Sequence, residues 1–410
     1  MLKAELLLVT LQLKNHSFMR KIYLFLIVVV TMMSCNTSSV SVFDRVERLC
    51  NKDGGKIWGI NIYSPVIGID SLRNIISNVQ DAPTVYPSDL PVANSTTEFD
   101  GKRWTMVLWP LSGSVQSQNT LLIHEMFHYR QSELKLIPTL TPNNAHLSFR
   151  DARTLIKLEW NALKVALACK RQDKIDALTD AMIFRRLRRQ HYPEYADDEN
   201  ALEILEGIAE YTGRRFATSS VKKSIAGLKD FDYLYTADNI TRSFAYLSGP
   251  LYGFALDQSG LEWHKLIDSS CDLGALLSTA YNIDIPDDLS DAYEVSRQKY
   301  GFSDIDEQEE AYEREQAAKE DVLRRLFSKD NVIVIDCKNL SIQFPPNGMV
   351  QQEDGSMLIY GGKAYFDSGY VTGNPFKLSG DWKQIELPKL DTLSVKGDTI
   401  ITSGWTLVRK

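Results

Sequence analysis

The sequence predicts an α+β protein that carries a separate small all-β domain at its C-terminal end. Three observations predict it. Residues 56–109 are rich in β-branched and aromatic residues punctuated by turn signals. From Thr120 to about residue 328 the apolar residues recur at helical spacing. From Asn331 onward, short β-type runs return between glycine turns. A chain of 410 residues with 44% hydrophobic content has material for more than one core. Its net charge of -7 is the wrong sign for a nucleic-acid partner.

The N-terminal stretch reads as an export signal. Met19-Arg20-Lys21 is a short positive start, and Ile22 to Met33 is apolar apart from Thr31, too short for an ordinary membrane span. Ser34-Cys35-Asn36 and the Ser/Thr-rich run after it resemble the lipobox of bacterial lipoproteins. That resemblance implies acylation of Cys35, and a lipid-anchored protein of a bacterial cell envelope. Residues 1–35 are then a leader, of which 1–18 read as an upstream extension from a misassigned start, and 36–50 read as a tether. The other cysteines are Cys50, Cys169, Cys271 and Cys337. They lack CxxC spacing, which argues against a cysteine zinc site, and are either paired after export or buried thiols.

Residues 51–300 form the main domain. Lys56–Tyr63 and Val66–Asp70 read as strands. After the Asp100-Gly101 turn, Arg103–Trp109 reads as a third strand, closed by Pro110. A helix follows over Thr120–Leu136, with Asn119 as N-cap and Pro138 beyond its end. Phe149–Lys170 and Lys174–Arg189 read as two more helices, and Glu199–Thr212 as another, stopped by Gly213. Pro250–Asp257 is an apolar helix. Residues 301–328 are densely charged and read as a helical connector to the small β domain, 329–410, whose runs include Val332–Asp336, Met357–Tyr360 and Thr399–Thr402.

The chemistry concentrates in His124-Glu125-Met126-Phe127-His128, an HExxH sequence. On a helix, residues i and i+4 share a face, so both imidazoles reach one metal ion. Glu125 sits about 100° around the helix, within reach of a water proton at that metal. A catalytic zinc needs a third protein ligand. The segment Glu206-Gly207-Ile208-Ala209 supplies a candidate, with Glu210 one turn on, and Tyr246-Leu247-Ser248-Gly249 precedes the apolar helix.

In these three segments, and in their order, the chain resembles the gluzincin metallopeptidases, in particular the aminopeptidase N branch. The resemblance covers roughly residues 100–260. It implies Zn2+ held by His124, His128 and Glu206, Glu125 as general base, and Tyr246 as hydrogen-bond donor to the substrate oxyanion. Tyr252 and Tyr211 are fallback donors. It also implies that Arg103–Trp109 is an edge strand that pairs with substrate backbone. From His128 to Glu206 is 78 positions, longer than in that branch, which requires two extra helices between the motifs.

Glu159 reads as a residue able to orient a ligand imidazole, or as an ion-pair partner. Arg185, Arg186, Arg188 and Arg189 read as a solvated basic helix face pairing with local acids, with a substrate carboxylate as the other reading. The implied activity is peptide hydrolysis on a peptide or protein substrate. An endopeptidase is favoured, because Arg103–Trp109 offers no acid to hold a free N-terminus. The alternative is a surface lipoprotein that keeps the peptidase fold for binding or scaffolding without turnover.

Overall fold

The computed structural model describes residues 42–409, except 89, 238, 345–347 and 353. Cys35, the leader and the first residues of the tether lie outside the described residues. The described chain is a mixed α+β protein in two compact units, divided between Glu309 and Glu310.

The first unit begins with helix α1 (42–53), which buries Val42, Phe43, Val46 and Cys50. This corrects the tether, read as running to residue 50: those four side chains recur at helical spacing and belong to the core. Residues 56–63 form turns and coil instead of a strand. Their apolar side chains are used singly. Trp58 packs on Phe127 and donates from Nε1 to Thr212 Oγ1 at 3.2 Å.

A four-stranded sheet follows: β1 (Val66–Ile69), β2 (Ile75–Ser77), β3 (Ser95–Phe99) and β4 (Lys102–Leu108), in the order β2-β1-β4-β3. β4 runs parallel to β1 and antiparallel to β3. Arg103–Trp109 is therefore an interior strand, not an edge. Its backbone is committed to neighbours on both sides, and the edges are β2 and β3.

Helices succeed the sheet: α2 (Val115–Arg130), α3 (Arg150–Ala168), α4 (Arg171–His191), α5 (Ala196–Leu202), α6 (Ile208–Ala217), α7 (Val221–Ala226), α8 (Ala245–Asp257) and α9 (Leu273–Tyr281). After them come α10 (Ser290–Arg297) and α11 (Phe302–Leu326), inside which the unit boundary falls. The predicted Thr120–Leu136 helix starts five residues earlier, because Ser114 rather than Asn119 caps it, accepting from Ser117 N. The α3–α4 hairpin fills the long interval between the two metal motifs.

Between α5 and α6 the helical run passes through a π-helical turn, Glu203–Gly207, and then continues past Gly213, the expected stop, to Ala217. Gly213 has a packing role instead: a Cβ there would stand 2.6 Å from the Thr120 carbonyl oxygen of α2. α8 crosses the same run on another side. A Cβ on Gly249 would lie 2.3 Å from Gly207 Cα, and one on Gly207 would lie 2.9 Å from Ala245 O. These glycines let three helices meet at backbone contact.

The second unit takes in the rest of α11 and then the strands β5 (Val332–Asp336), β6 (Ser341–Gln343), β7 (Met349–Gln351), β8 (Met357–Ile359), β9 (Gly362–Phe366), β10 (Gly369–Gly373), β11 (Phe376–Leu378), β12 (Gln384–Pro388), β13 (Thr392–Lys396), β14 (Thr399–Thr402) and β15 (Trp405–Arg409). They pair antiparallel in two sheets, ordered β13-β14-β15-β10-β9-β6 and β5-β12-β11-β8-β7. The two sheets share a core of Ile359, Val371, Phe376, Leu387, Trp405 and Leu407. The four described cysteines are free thiols; Cys50 and Cys337 are buried. Burial pushes the Cys50 thiol up to about 12. Among the described residues, no helix is long and apolar enough to cross a membrane.

The crossing of α8 over the π turn yields a prediction. Gly249→Ala should destabilise the protein by about 2–3 kcal/mol, the usual cost of overpacking where backbone must move. Chemical denaturation measures it; a change under about 0.5 kcal/mol contradicts the close crossing.

Candidate metal centre

α2 is buried along the stretch that carries the HExxH residues, between α6 and the sheet. His124 and Glu125 are 4% and 5% exposed, too little to leave either to bulk water. The two imidazoles face one another, with Nε2 atoms 3.0 Å apart. Glu206 arrives from the π turn. Its Oε2 lies 3.5 Å from His124 Nε2 and 3.4 Å from His128 Nε2. A π turn widens the helix by one residue per turn and occurs mostly at functional positions. Here it carries the carboxylate that faces the metal helix.

Hydrogen bonds on the far side of each ring fix its orientation. His124 Nδ1 lies 3.1 Å from Glu210 Oε2, and Glu210 Oε1 accepts from Arg214 Nε at 2.7 Å. His128 Nδ1 lies 2.7 Å from Gln131 Oε1. With each Nδ1 held from outside, both Nε2 atoms turn toward Glu206. Gln131 also donates from Nε2 to the Leu205 carbonyl at 2.8 Å, tying the end of α2 to the π turn. It is the positioning residue that sequence reading missed. The available signal was an amide three residues after His128, within reach on a helix end.

The electrostatics of the cluster favour a cation. Burial alone would lower His124, but the Glu206 and Glu210 carboxylates overcome it and raise the imidazolium to about 10. Burial would raise Glu206, yet the two imidazoles hold it well below the usual carboxylate range. Two nitrogens and a carboxylate oxygen thus meet in a pocket that prefers positive charge, and His124, His128 and Glu206 could hold a metal ion. The donor chemistry fits this role.

Glu125 stands beside the three. Burial raises its carboxyl, and it feels the charges of His124, His128 and Glu206. Among the described residues it has no hydrogen-bond or ion-pair partner, so its oxygens are uncommitted. Tyr246 lies inside α8, not before it. Its ring stacks on His124 with centroids 5.6 Å apart, and its hydroxyl donates to Glu206 Oε2 at 2.9 Å. Burial and the Glu206 charge raise its phenol, so it stays a neutral donor. The fallback tyrosines are engaged elsewhere: Tyr252 donates to Glu159 at 2.6 Å and Tyr211 to Asp257 at 2.8 Å.

No family model matches the chain, and no curated protein or solved structure matches it either. The site is therefore read from its own geometry.

Of the two readings of Glu159, the structure bears out the ion pair: it touches neither candidate ligand imidazole and binds Arg188 and Tyr252 in the core. The arginines of α4 are not a solvated face, because Arg185 and Arg188 are 3% and 0% exposed. Arg185 forks onto Glu203 at 2.9 and 2.7 Å, and Arg188 binds Glu159 and Glu199. Arg186 alone of the run turns outward, to Asp287. Glu203 opens the π turn, so the Arg185 fork anchors the segment that presents Glu206.

Gln131→Leu should therefore weaken metal binding about 10–100-fold, the range for loss of a partner that orients a ligand histidine. Competition against a chromogenic chelator measures this. Affinity equal to that of the parent protein rules out the orienting role.

Proposed function

We propose that this chain is a zinc-dependent peptidase of gluzincin type, with Glu125 as general base and an extended polypeptide as substrate. One observation carries the reading: His124, His128 and Glu206, from segments 78 positions apart, place their ligand atoms in a triangle with sides of 3.0, 3.4 and 3.5 Å. Tetrahedral zinc with bonds of about 2.0–2.1 Å sets its donors about 3.3 Å apart, leaving the fourth position for water or substrate. The acids and amides on the far side of the rings suit the same purpose.

Zinc held there would polarise the scissile carbonyl and lower the pKa of water. Glu125, buried and uncommitted, takes the proton from the attacking water and passes it to the leaving amine. Its raised carboxyl suits both halves of that exchange. Tyr246 offers a neutral O–H at the ligand cluster, where a donor stabilises growing negative charge more than the ground state.

The edge strand for β-addition is β3. Among the described residues its outer side pairs with no other strand, and it lies beside α2. Its acid, Glu98, is registered opposite Arg103 of β4. A substrate ammonium would meet that arginine too, which favours an internal segment of chain over a free N-terminus. An endopeptidase is the form of the activity we propose.

With the protein zinc-loaded, Glu125→Gln should keep about one metal per chain by elemental analysis and lose at least about a hundredfold in turnover of an internally quenched peptide blocked at both ends. Retained turnover in that variant sinks the mechanism. We also propose that acylated Cys35 anchors the protein to a membrane of a bacterial cell envelope. Cys35→Ala should move it to the soluble fraction with the leader still processed; unchanged partitioning argues against the anchor.

A further inference from the structure

His124 has a layer of support that His128 lacks. Behind His128 stands Gln131, a neutral amide whose other end is tied to the Leu205 carbonyl. Behind His124 stands Glu210, a carboxylate, and behind Glu210 a guanidinium. Arg214 follows Glu210 by one turn of α6, so the two share a helix face. Exposed pairs at that spacing contribute little, because water screens them. Glu210 and Arg214 are each 7% exposed, so most of that screening is absent.

Arg214 is itself held in place by the 3-10 helix Gly227–Tyr235. Its Nη1 donates to the Gly227 carbonyl at 2.8 Å and to Asp230 Oδ2 at 3.3 Å. Its guanidinium lies over the Phe231 ring, 4.3 Å from the centroid. Nε is thereby aimed at Glu210 Oε1, which leaves Oε2 for His124 Nδ1.

Glu210 also has somewhere else to go. A cavity of about 550 Å³ is lined by Glu210 and Arg214 and by none of His124, His128 and Glu206. A buried carboxylate without a cation is costly. Once released by the guanidinium, it gains by turning into that space and being hydrated there. The His124 ring would then lose the partner behind it.

We propose that Arg214 is a positioning residue of the metal centre: its grip on Glu210 Oε1 keeps Oε2 at His124 Nδ1, and so sets the metal affinity of a site that Arg214 does not touch. This role rests on the metal-binding reading of His124, His128 and Glu206, not on the peptidase one.

The test measures zinc affinity of the full chain by competition with a chromogenic chelator. Arg214→Met should weaken binding about tenfold, the lower end of the range for losing the partner of a ligand histidine. Arg214→Lys, which returns a cation to Glu210, should lie within about threefold of the parent. A merely structural arginine would fail a further comparison. Glu210→Gln should weaken zinc binding by a similar factor, and adding Arg214→Met to it should cost less than about twofold more, because one residue acts through the other. Losses that multiply in the double variant overturn the proposal, as does parent affinity in a folded Arg214→Met protein. Where Arg214→Met does not fold, Arg214→Gln takes its place in the same cycle, since it keeps a donor for the Gly227 carbonyl. If the parent takes up no zinc, the metal-binding reading fails by itself. A crystal structure of the metal-free variant then decides the role of Arg214: Glu210 turned away from His124 supports it, and Glu210 Oε2 still on Nδ1 overturns it.

Discussion

Three helices meet at backbone contact around Gly207, Gly213 and Gly249, and the candidate site depends on that meeting. Gly213 lets α6 lie against α2 at the Thr120 carbonyl, and the Gly207–Gly249 pair lets α8 lie against the π turn. Interiors are packed too densely to absorb an added methyl group at such points without moving backbone. A shift of these helices would move Glu206 relative to the imidazoles of α2, and Tyr246 relative to Glu206. The glycines in the Glu-Gly-x-Ala and Tyr-x-x-Gly segments thus set helix spacing, while the acid and the phenol beside them meet at the His124–His128 pair.

Polar groups then fix what the packing brings close. Each ligand histidine is held from behind, His124 by Glu210 and His128 by Gln131. Gln131 reaches on to the Leu205 carbonyl, and Arg185 grips Glu203 at the head of the π turn. Glu206 is braced on both sides of its own segment. Burying Arg185, Arg188, Glu159, Glu199 and Glu203 together is costly unless each charged group has an opposite partner, and each has one here, with Arg189 joining Arg188 on Glu199. The α3–α4 hairpin that supplies these arginines occupies the long interval between the HExxH helix and Glu206, so the interval provides the support for the segment that presents Glu206 to the two histidines.

The elements that sequence reading recovered are those with strong local periodicity. The core of the HExxH helix, the α3–α4 pair and the strands at Val66, Arg103, Val332, Met357 and Thr399 are all present. Misreadings arose where an apolar run had another use. Residues 56–63 look β-like, but they place Trp58 against Phe127 without forming a ladder. Residues 42–50 look like tether because polar residues precede them, yet Val42, Phe43 and Val46 face the core. Strand β2 is only three residues long and β3 is mostly polar, and partner strands define them more than their own side chains do.

The sequence by itself determined the α+β class, the pairing of His124 with His128 on one helix face, and the chain order of Glu125, Glu206 and Tyr246. Each follows from spacing along one segment, where geometry is local and propensity suffices. Only the tertiary structure decided which carboxylate faces the imidazoles, which strand is the sheet edge, and which arginines are buried. Those outcomes depend on contacts between segments tens of residues apart, and spacing along a chain carries no information about them. Glu203, Glu206 and Glu210 are indistinguishable as a helical acidic stripe. The π turn and the glycine crossings give one to an arginine, one to the ligand cluster, and one to the back of a histidine.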